Sequence, residues 1–267
     1  MVHVGPPYDP IDLKIIPLIP YYAALAVISA AFGVRTIMKG RRRNAKAAKI
    51  LGTAYSFFAA MFGWLLAGLL QTYVDGEFRE LYRLSLPAAY SALVAADFAI
   101  LWFAREVFEV GRRSAAGFVV FFCVTLVLLN LDQNWYGVPT EAHEGQPDVR
   151  LLSNLFLLGG TLALYSYLIR ALVGLRRKVD DPAAKLGFEL IAGAFACGIA
   201  ALTCIALDAV NIMLTGEGYS AFIFVGWGFV AFFMAFSYLG FDLPAWLRAW
   251  ALRRAGLDDG RPKGKEP

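Results

Sequence analysis

The sequence predicts an all-α integral membrane protein, a bundle of seven transmembrane helices with its N-terminus outside and its C-terminus inside. Of its 267 residues, 59% are hydrophobic and 17% are charged, whereas soluble domains have about 45–50% apolar and about 25% charged residues. Seven apolar stretches are long enough to cross a bilayer, and the basic residues fall in alternate loops. This composition excludes a disordered chain, a disulfide scaffold and a nucleic-acid binder as first interpretations.

Each predicted span contains the roughly 20 mostly apolar residues that cross about 30 Å of hydrocarbon. The sequence divides into an outer N-terminal segment (1–14), the seven-helix domain (15–241), an amphipathic helix on the inner leaflet (242–256) and a disordered tail (257–267). Leu243, Trp246, Leu247 and Trp250 recur at helical spacing and predict the amphipathic helix. The predicted spans are residues 15–38, 50–74, 84–104, 114–131, 151–174, 186–214 and 221–241.

The basic residues predict the orientation, because Lys and Arg are retained on the cytoplasmic side of a membrane. Of the 25 basic residues, 19 lie in the first, third and fifth loops or in the C-terminal tail, and four lie in segments on the opposite side. We therefore expect a multi-pass protein of the cell membrane. The lipid bilayer, with anionic lipids at its inner surface, is the expected partner.

The sequence contains signs of an internal duplication. Arg35 and Arg170 each precede an arginine pair by six residues, and both of the following loops contain Ala-Ala-Lys. Spans 1–3 would then correspond to spans 5–7 in the same orientation, with span 4 as a linker. The positive-inside rule explains basic loops equally well, so both explanations stay open.

This plan of three, one and three helices resembles that of SWEET-type sugar transporters and of microbial rhodopsins. The resemblance covers all seven spans and implies a shared layout only. The sequence has no Pro-Gln pair of the SWEET type, and no lysine lies within a span to attach retinal.

Asp97 is the first candidate for a functional residue. It lies about ten residues into span 3, with Leu93 and Tyr90 one and two turns further out, which places it near mid-membrane at about 1.5 Å per residue. Ionisable groups in hydrocarbon are costly and usually face a bundle interior or a water path. Asp97 is therefore predicted to be either a proton or cation site or a structural hydrogen-bonding group.

Span 6 carries a stripe of small and polar residues. Its members are three or four residues apart, so they share one helical face, which we expect to point into the bundle. The Gly and Cys positions indicate close packing, whereas Asp208 and Asn211 are candidates either for a ligand or ion path or for hydrogen bonds between helices. The stripe consists of Glu189, Gly193, Cys197, Ala200, Cys204, Asp208, Asn211 and Thr215.

Spans 5 and 7 supply the other candidate ligand-binding residues. Asn154, Thr161 and Tyr165 share a face of span 5, and span 7 carries nine aromatic residues, among them Trp227. A ring-rich helix can line a pocket for an apolar or planar ligand. Core packing or lipid exposure explains such a helix equally well.

Two further features concern packing and the outer surface. Small residues in span 2 predict positions of close helix contact. The longest loop, residues 132–150, is a candidate docking loop or lid. The small residues of span 2 are Gly52, Ser56, Ala60, Gly63 and Ala67.

The common enzyme motifs are missing from the sequence, and an enzyme is the least supported class of function. Its two histidines, His3 and His143, lie in outer segments, so no intramembrane histidine cluster is available for zinc, haem or copper. No catalytic residue, metal site or cofactor is predicted.

The leading hypothesis is a carrier for a small solute or ion, with or without proton coupling, whose path passes Asp97 and the Asp208/Asn211 face. The alternatives are a ligand-sensing receptor module that signals to a separate inner partner, and a structural subunit of a membrane complex. A small-molecule ligand or ion, a second copy of the chain and a membrane-complex subunit are the partners considered besides lipid. No nucleic-acid partner is expected.

Overall fold

A computed structural model describes residues 16–76, 80–108, 111–134, 136, 149–215 and 220–256. In these residues the regular structure is entirely helical, and seven of the helices are long and apolar enough to cross a membrane, which confirms the predicted spans. The helices are α1 (Leu18–Arg42), α2 (Lys46–Asp75), α3 (Glu80–Phe108), α4 (Arg112–Leu129), α5 (Arg150–Arg176), α6 (Pro182–Thr215), α7 (Ala221–Phe241) and α8 (Ala245–Arg254).

Several helices extend beyond the apolar stretches that predicted them. Helix α3 begins at Glu80 and ends at Phe108, four residues outside the predicted span at each end. Backbone hydrogen bonding continues through polar residues at the membrane surface, whereas the predicted limits followed hydropathy. Helix α8 lies within the segment predicted to be amphipathic. The predicted outer segment 1–14 and tail 257–267 lie outside the described residues.

The chain forms two compact units, Met1–Leu164 and Tyr165–Pro267, which divide inside α5. The first unit therefore holds α1 to α4 and the start of α5, and the second holds the rest of α5 with α6 to α8. The predicted linker span, α4, belongs to the first unit. The internal repeat and the orientation in the membrane stay predictions.

In the first unit, glycines bring α2 close to both of its neighbours. A Cβ atom on Gly52 would lie 2.5 Å from Cγ1 of Ile37 and 2.9 Å from the carbonyl oxygen of Gly33 on α1. A Cβ atom on Gly68 would overlap the Ser85 hydroxyl on α3. The predicted close contact is thus confirmed at Gly52.

The same prediction is wrong at Gly63 and Ala60. Nothing among the described residues lies within 4 Å of a Cβ atom on Gly63, and Ala60 is exposed. The packed side of α2 passes instead through large buried residues such as Phe58 and Phe62. The positions of small residues in span 2 therefore do not by themselves indicate which face of α2 packs against neighbouring helices.

In the second unit, α6 and α7 approach at both ends of their contact. A Cβ atom on Gly240 would lie 2.8 Å from the carbonyl oxygen of Gly187, and one on Gly226 would lie 3.1 Å from Cβ of Cys204. Cys204 belongs to the predicted stripe on span 6, so this part of the stripe packs against α7. Close approach at small residues is the usual basis of helix association in membranes.

Candidate functional site

Asp97 is a fully buried carboxylate near the middle of α3, with 0% of its surface exposed. Its Oδ2 atom accepts a hydrogen bond of 2.7 Å from the Thr161 hydroxyl on α5. Transfer of an ionised carboxylate into an apolar environment is costly unless the charge is hydrogen-bonded and compensated. Ionisation of Asp97 therefore changes the stability of the helix packing around it.

The layer around Asp97 is apolar on the side of the carboxylate that faces the C-terminal end of α3. Ile100 and Leu101 on α3 and Leu164 on α5 are all buried. Helix α4 approaches α5 next to Thr161, because Gly160 has no side chain and a Cβ there would lie 2.6 Å from the Phe121 ring. Tight packing at Gly160 therefore helps to hold the Thr161 hydroxyl in place.

A second group of polar residues joins the ends of α3, α4 and α5, and we call it the outer polar cluster after the predicted orientation. The Tyr136 hydroxyl donates to Oδ1 of Asn154 at 3.1 Å, and the Tyr136 ring meets the Tyr90 ring edge-on with centroids 6.1 Å apart. The Arg150 guanidinium lies 6.0 Å from the centroid of the Tyr136 ring. The cluster consists of Tyr90, Ser91, Asn130, Asn134, Tyr136, Arg150, Ser153 and Asn154.

Two amide side chains fix the polypeptide that follows α4. Nδ2 of Asn130 donates to the Ser91 hydroxyl at 3.1 Å. Nδ2 of Asn134 donates to the carbonyl oxygen of Leu129 at 2.7 Å, and Oδ1 of Asn134 accepts from the Ser153 hydroxyl at 2.8 Å. These hydrogen bonds hold Tyr136 above the start of α5.

The outer polar cluster lies in register with the Asp97–Thr161 pair. Tyr90 precedes Asp97 by seven residues on α3, and Asn154 precedes Thr161 by seven residues on α5. Seven residues make two helical turns, about 10.5 Å along the axis, and return to nearly the same face. Buried Val94 and Leu157 occupy the turn between, so one apolar layer separates the two polar levels.

Tyr136 lies outside the membrane spans, and burial raises the pKa of its phenol above the ordinary value of 10.0. The neighbouring Tyr90 also raises this pKa, while hydrogen bonds with Ser153 and Asn154 and the charge of Arg150 lower it. The phenol therefore stays protonated and keeps donating to Asn154 throughout the physiological pH range.

Tyr136→Phe should make the protein's stability less sensitive to alkaline pH. The unfolded phenol loses its proton near pH 10, whereas the folded one resists ionisation, so its contribution is complete below about pH 10 and is lost as pH rises further. We expect the free energy of unfolding in detergent to fall less steeply in the variant between about pH 9 and pH 11. Tyr73→Phe, at an exposed tyrosine, is the matched control and should leave the slope unchanged. Equal slopes for wild type and Tyr136→Phe would contradict the assignment.

Asp208 and Asn211, the other polar candidates, lie on α6 in the second unit. Asp208 is buried, and its Oδ1 atom accepts from the backbone N–H of Ser220 at 2.7 Å and from the Ser220 hydroxyl at 2.6 Å. Ser220 is the N-cap residue of α7, and its hydroxyl oxygen accepts from the N–H of Phe222. Asn211, one turn beyond Asp208, is half-buried. Asp208 thus stabilises the first turn of α7.

Removing either partner of the Asp208–Ser220 contact should destabilise the second unit. We expect Asp208→Ala and Ser220→Ala each to lower the free energy of unfolding by about 1–3 kcal/mol, as measured for caps and hydrogen bonds to charged groups. The double variant should cost less than the sum of the two, because each change breaks the same contact. Chemical unfolding in detergent, followed by helical circular dichroism, measures all three. Strict additivity would show that the two residues act independently.

The predicted aromatic candidates are packed against other rings or buried. Tyr165 stacks on Phe233 with centroids 5.8 Å apart and lies 5.0 Å from the Phe195 ring. A Cβ atom on Gly198 would lie 2.6 Å from the Tyr165 ring. Trp227 is also buried. These contacts favour core packing as the role of Tyr165.

Sequence reasoning found Asp97, Tyr90 and Asn154 but missed most of the outer polar cluster. Asn130, Asn134 and Tyr136 fall at and beyond the end of span 4, where polar residues usually face water. The four-residue spacing of Asn130 and Asn134 is the feature of the sequence that could have indicated that both belong to one cluster. The predicted loop 132–150 contains Tyr136, and most of that loop lies outside the described residues.

Comparison of the chain with protein-family models, with curated proteins and with solved structures finds no match. The seven apolar helices define it as a multi-pass membrane protein. Its more particular function has to be inferred from the arrangement of its own residues.

Proposed function

We propose that this protein is a carrier of the cell membrane for a small solute or ion, and that Asp97 is its proton or cation site. The observation that carries the proposal is the fully buried Asp97 carboxylate, held by Thr161 two turns inside the outer polar cluster. Uptake of a proton or a cation lowers the cost of burying a carboxylate's charge. Binding and release of that ion would then favour different arrangements of the helices.

The apolar layers on both sides of Asp97 support a carrier rather than an open pore. Val94 and Leu157 lie between Asp97 and the outer polar cluster, and Ile100, Leu101 and Leu164 lie on its inner side. A carrier opens such layers one side at a time. The outer polar cluster supplies hydroxyl and amide groups through which water or a solute could approach from the predicted outer side.

The proposed ion site is Asp97 rather than the predicted Asp208/Asn211 face. The hydrogen bonds that Asp208 accepts from the Ser220 N–H and hydroxyl stabilise the start of α7, which supports a structural role. The receptor alternative calls for an apolar pocket near span 7. Mutual packing of Tyr165, Phe195 and Phe233 fills the space around those rings and gives that alternative less support.

Ion movement by the purified protein in lipid vesicles tests the proposal. A pH-sensitive dye and a sodium-sensitive dye inside the vesicles would report fluxes under imposed ion gradients, with protein-free vesicles as the control. We expect protein-dependent movement of protons or of a cation. A hydrophobic carbodiimide, which reacts with buried protonated carboxyl groups, should modify Asp97 and block that movement. Vesicles that match the protein-free control under every gradient, with Asp97 unmodified, would overturn the proposal.

A further inference from the structure

Helix α8 presents an exposed face that combines two tryptophans with an arginine. Trp246 is 66% exposed and Trp250 is 41% exposed, and Arg254 places its guanidinium 5.3 Å from the Trp250 ring centroid. These three residues are four apart in sequence, so they follow one side of the helix. On another side, Ala251 is buried, and α8 contacts α6.

Chain connectivity places this face beside the basic end of the second unit. Helix α8 follows α7 after three residues, and Gly240 near the end of α7 touches Gly187 near the start of α6. The α5–α6 loop, with Arg177 and Lys178, ends at that same start of α6. Arg248 and Arg253 of α8 are also exposed. The exposed tryptophans therefore lie among basic groups at one end of membrane-spanning helices.

We propose that the face formed by Trp246, Trp250 and Arg254 binds the headgroup of an anionic phospholipid in the adjoining leaflet. Tryptophan rings favour the boundary between hydrocarbon and headgroups. When the plane of a guanidinium lies over an aromatic ring, its N–H groups remain available. Two of them can donate to two oxygens of one phosphate. Among the described residues Arg254 forms no ion pair, so no acidic side chain in the described part of the second unit occupies those N–H groups.

The positive charge around the α8 face favours an anionic phospholipid as its ligand. Net attraction toward anionic lipid grows with each Lys or Arg near the membrane surface, and the α8 face lies within the basic end of the unit. An aromatic and basic surface next to spanning helices meets the headgroup layer without any conformational change. A soluble acidic protein would have to displace lipid from the same tryptophans.

Lipid retention by the purified full-length protein tests this site. The protein in detergent is titrated with phosphatidylglycerol or with phosphatidylcholine of the same acyl chains, and native mass spectrometry counts the bound lipids. We expect tighter binding of phosphatidylglycerol, and about fivefold weaker binding of it in Arg254→Gln. Arg254→Lys should give an intermediate loss, because it keeps the charge and loses the planar fork. Arg112→Gln, at an exposed arginine on the same predicted side, is the matched control for the loss of one charge and should weaken phosphatidylglycerol binding less than Arg254→Gln does.

Trp250→Leu provides a second variant that leaves every charge in place. It removes the ring over which the Arg254 guanidinium lies, so it should also weaken phosphatidylglycerol binding. Helical circular dichroism checks that Trp250→Leu and Arg254→Gln fold. Equal binding of the two lipids, or an equal loss in Arg112→Gln, would overturn the proposal. So would complete displacement of the lipid by millimolar inorganic phosphate, which would indicate a simple anion site, or a stable protein partner that covers Trp246 in place of lipid.

Discussion

Asp97→Asn is expected to abolish ion movement through the protein while leaving its fold intact. Asparagine keeps the size of the side chain and an oxygen that accepts from the Thr161 hydroxyl. It cannot take up or release a proton, and it offers no charge to balance a cation. We expect the initial flux rate in vesicles to fall by about 100-fold or more, the scale on which loss of a proton-transferring group slows a reaction.

Graded variants separate the charge of Asp97 from its position. Thr161→Val removes the hydrogen bond to the carboxylate and should slow the flux less than Asp97→Asn does, whereas Thr161→Ser keeps a hydroxyl and should remain close to wild type. Glu189→Gln is the matched control. Its carboxylate pairs with Arg176 at 2.6 Å and is 45% exposed, so it should leave the flux unchanged. A wild-type rate in Asp97→Asn would show that the ion takes another route.

The seven spans could be predicted because hydropathy alone determines which segments enter a bilayer. Helix ends could not, since Lys46 and Glu80 begin helices at the membrane surface, where polar residues remain hydrogen-bonded within the helix. The division into two units inside α5 has no counterpart in composition. It depends on which helices pack together, and a single sequence does not contain that information in readable form.

The parts of the candidate site that could be predicted are the polar residues that interrupt apolar spans. Asp97 stands out in an apolar span, and helical spacing placed Thr161 on the same face as Asn154. Pairing of Asp97 with Thr161 was not predicted, because it depends on how α3 and α5 are rotated toward each other. Tyr136 was no candidate for the site, since its contact with Asn154 requires a particular path of the chain after α4.

Asp208 shows a second limit of prediction from the sequence. Its place on a polar stripe suggested an ion path, yet its carboxylate accepts two hydrogen bonds from Ser220, which begins the next helix. A carboxylate near a helix end can satisfy the first N–H groups of a neighbouring helix. Sequence spacing identifies a face of α6 but does not show which backbone groups that face meets.

Gly52→Leu is expected to be the most destabilising substitution in the first unit. Even a Cβ atom at this position would lie 2.5 Å from Cγ1 of Ile37 and 2.9 Å from the carbonyl oxygen of Gly33. Because the Gly33 oxygen belongs to the backbone, relief requires α1 and α2 to separate. We expect a loss of about 3 kcal/mol or failure to fold, at the upper end of the cost of overpacking. Chemical unfolding in detergent and the yield of folded protein measure this effect.

Gly63, on the same helix, tests whether the loss of stability expected at Gly52 comes from contact with α1 or from the loss of glycine itself. Its Cβ position meets nothing within 4 Å among the described residues, so Gly63→Leu should not destabilise the protein, in contrast to Gly52→Leu. Alanine sharpens the comparison, because it is a better helix former than glycine by about 1 kcal/mol. Gly63→Ala should therefore stabilise the protein slightly, whereas Gly52→Ala should destabilise it. A gain in stability at both positions would mean that α1 and α2 do not touch at Gly52.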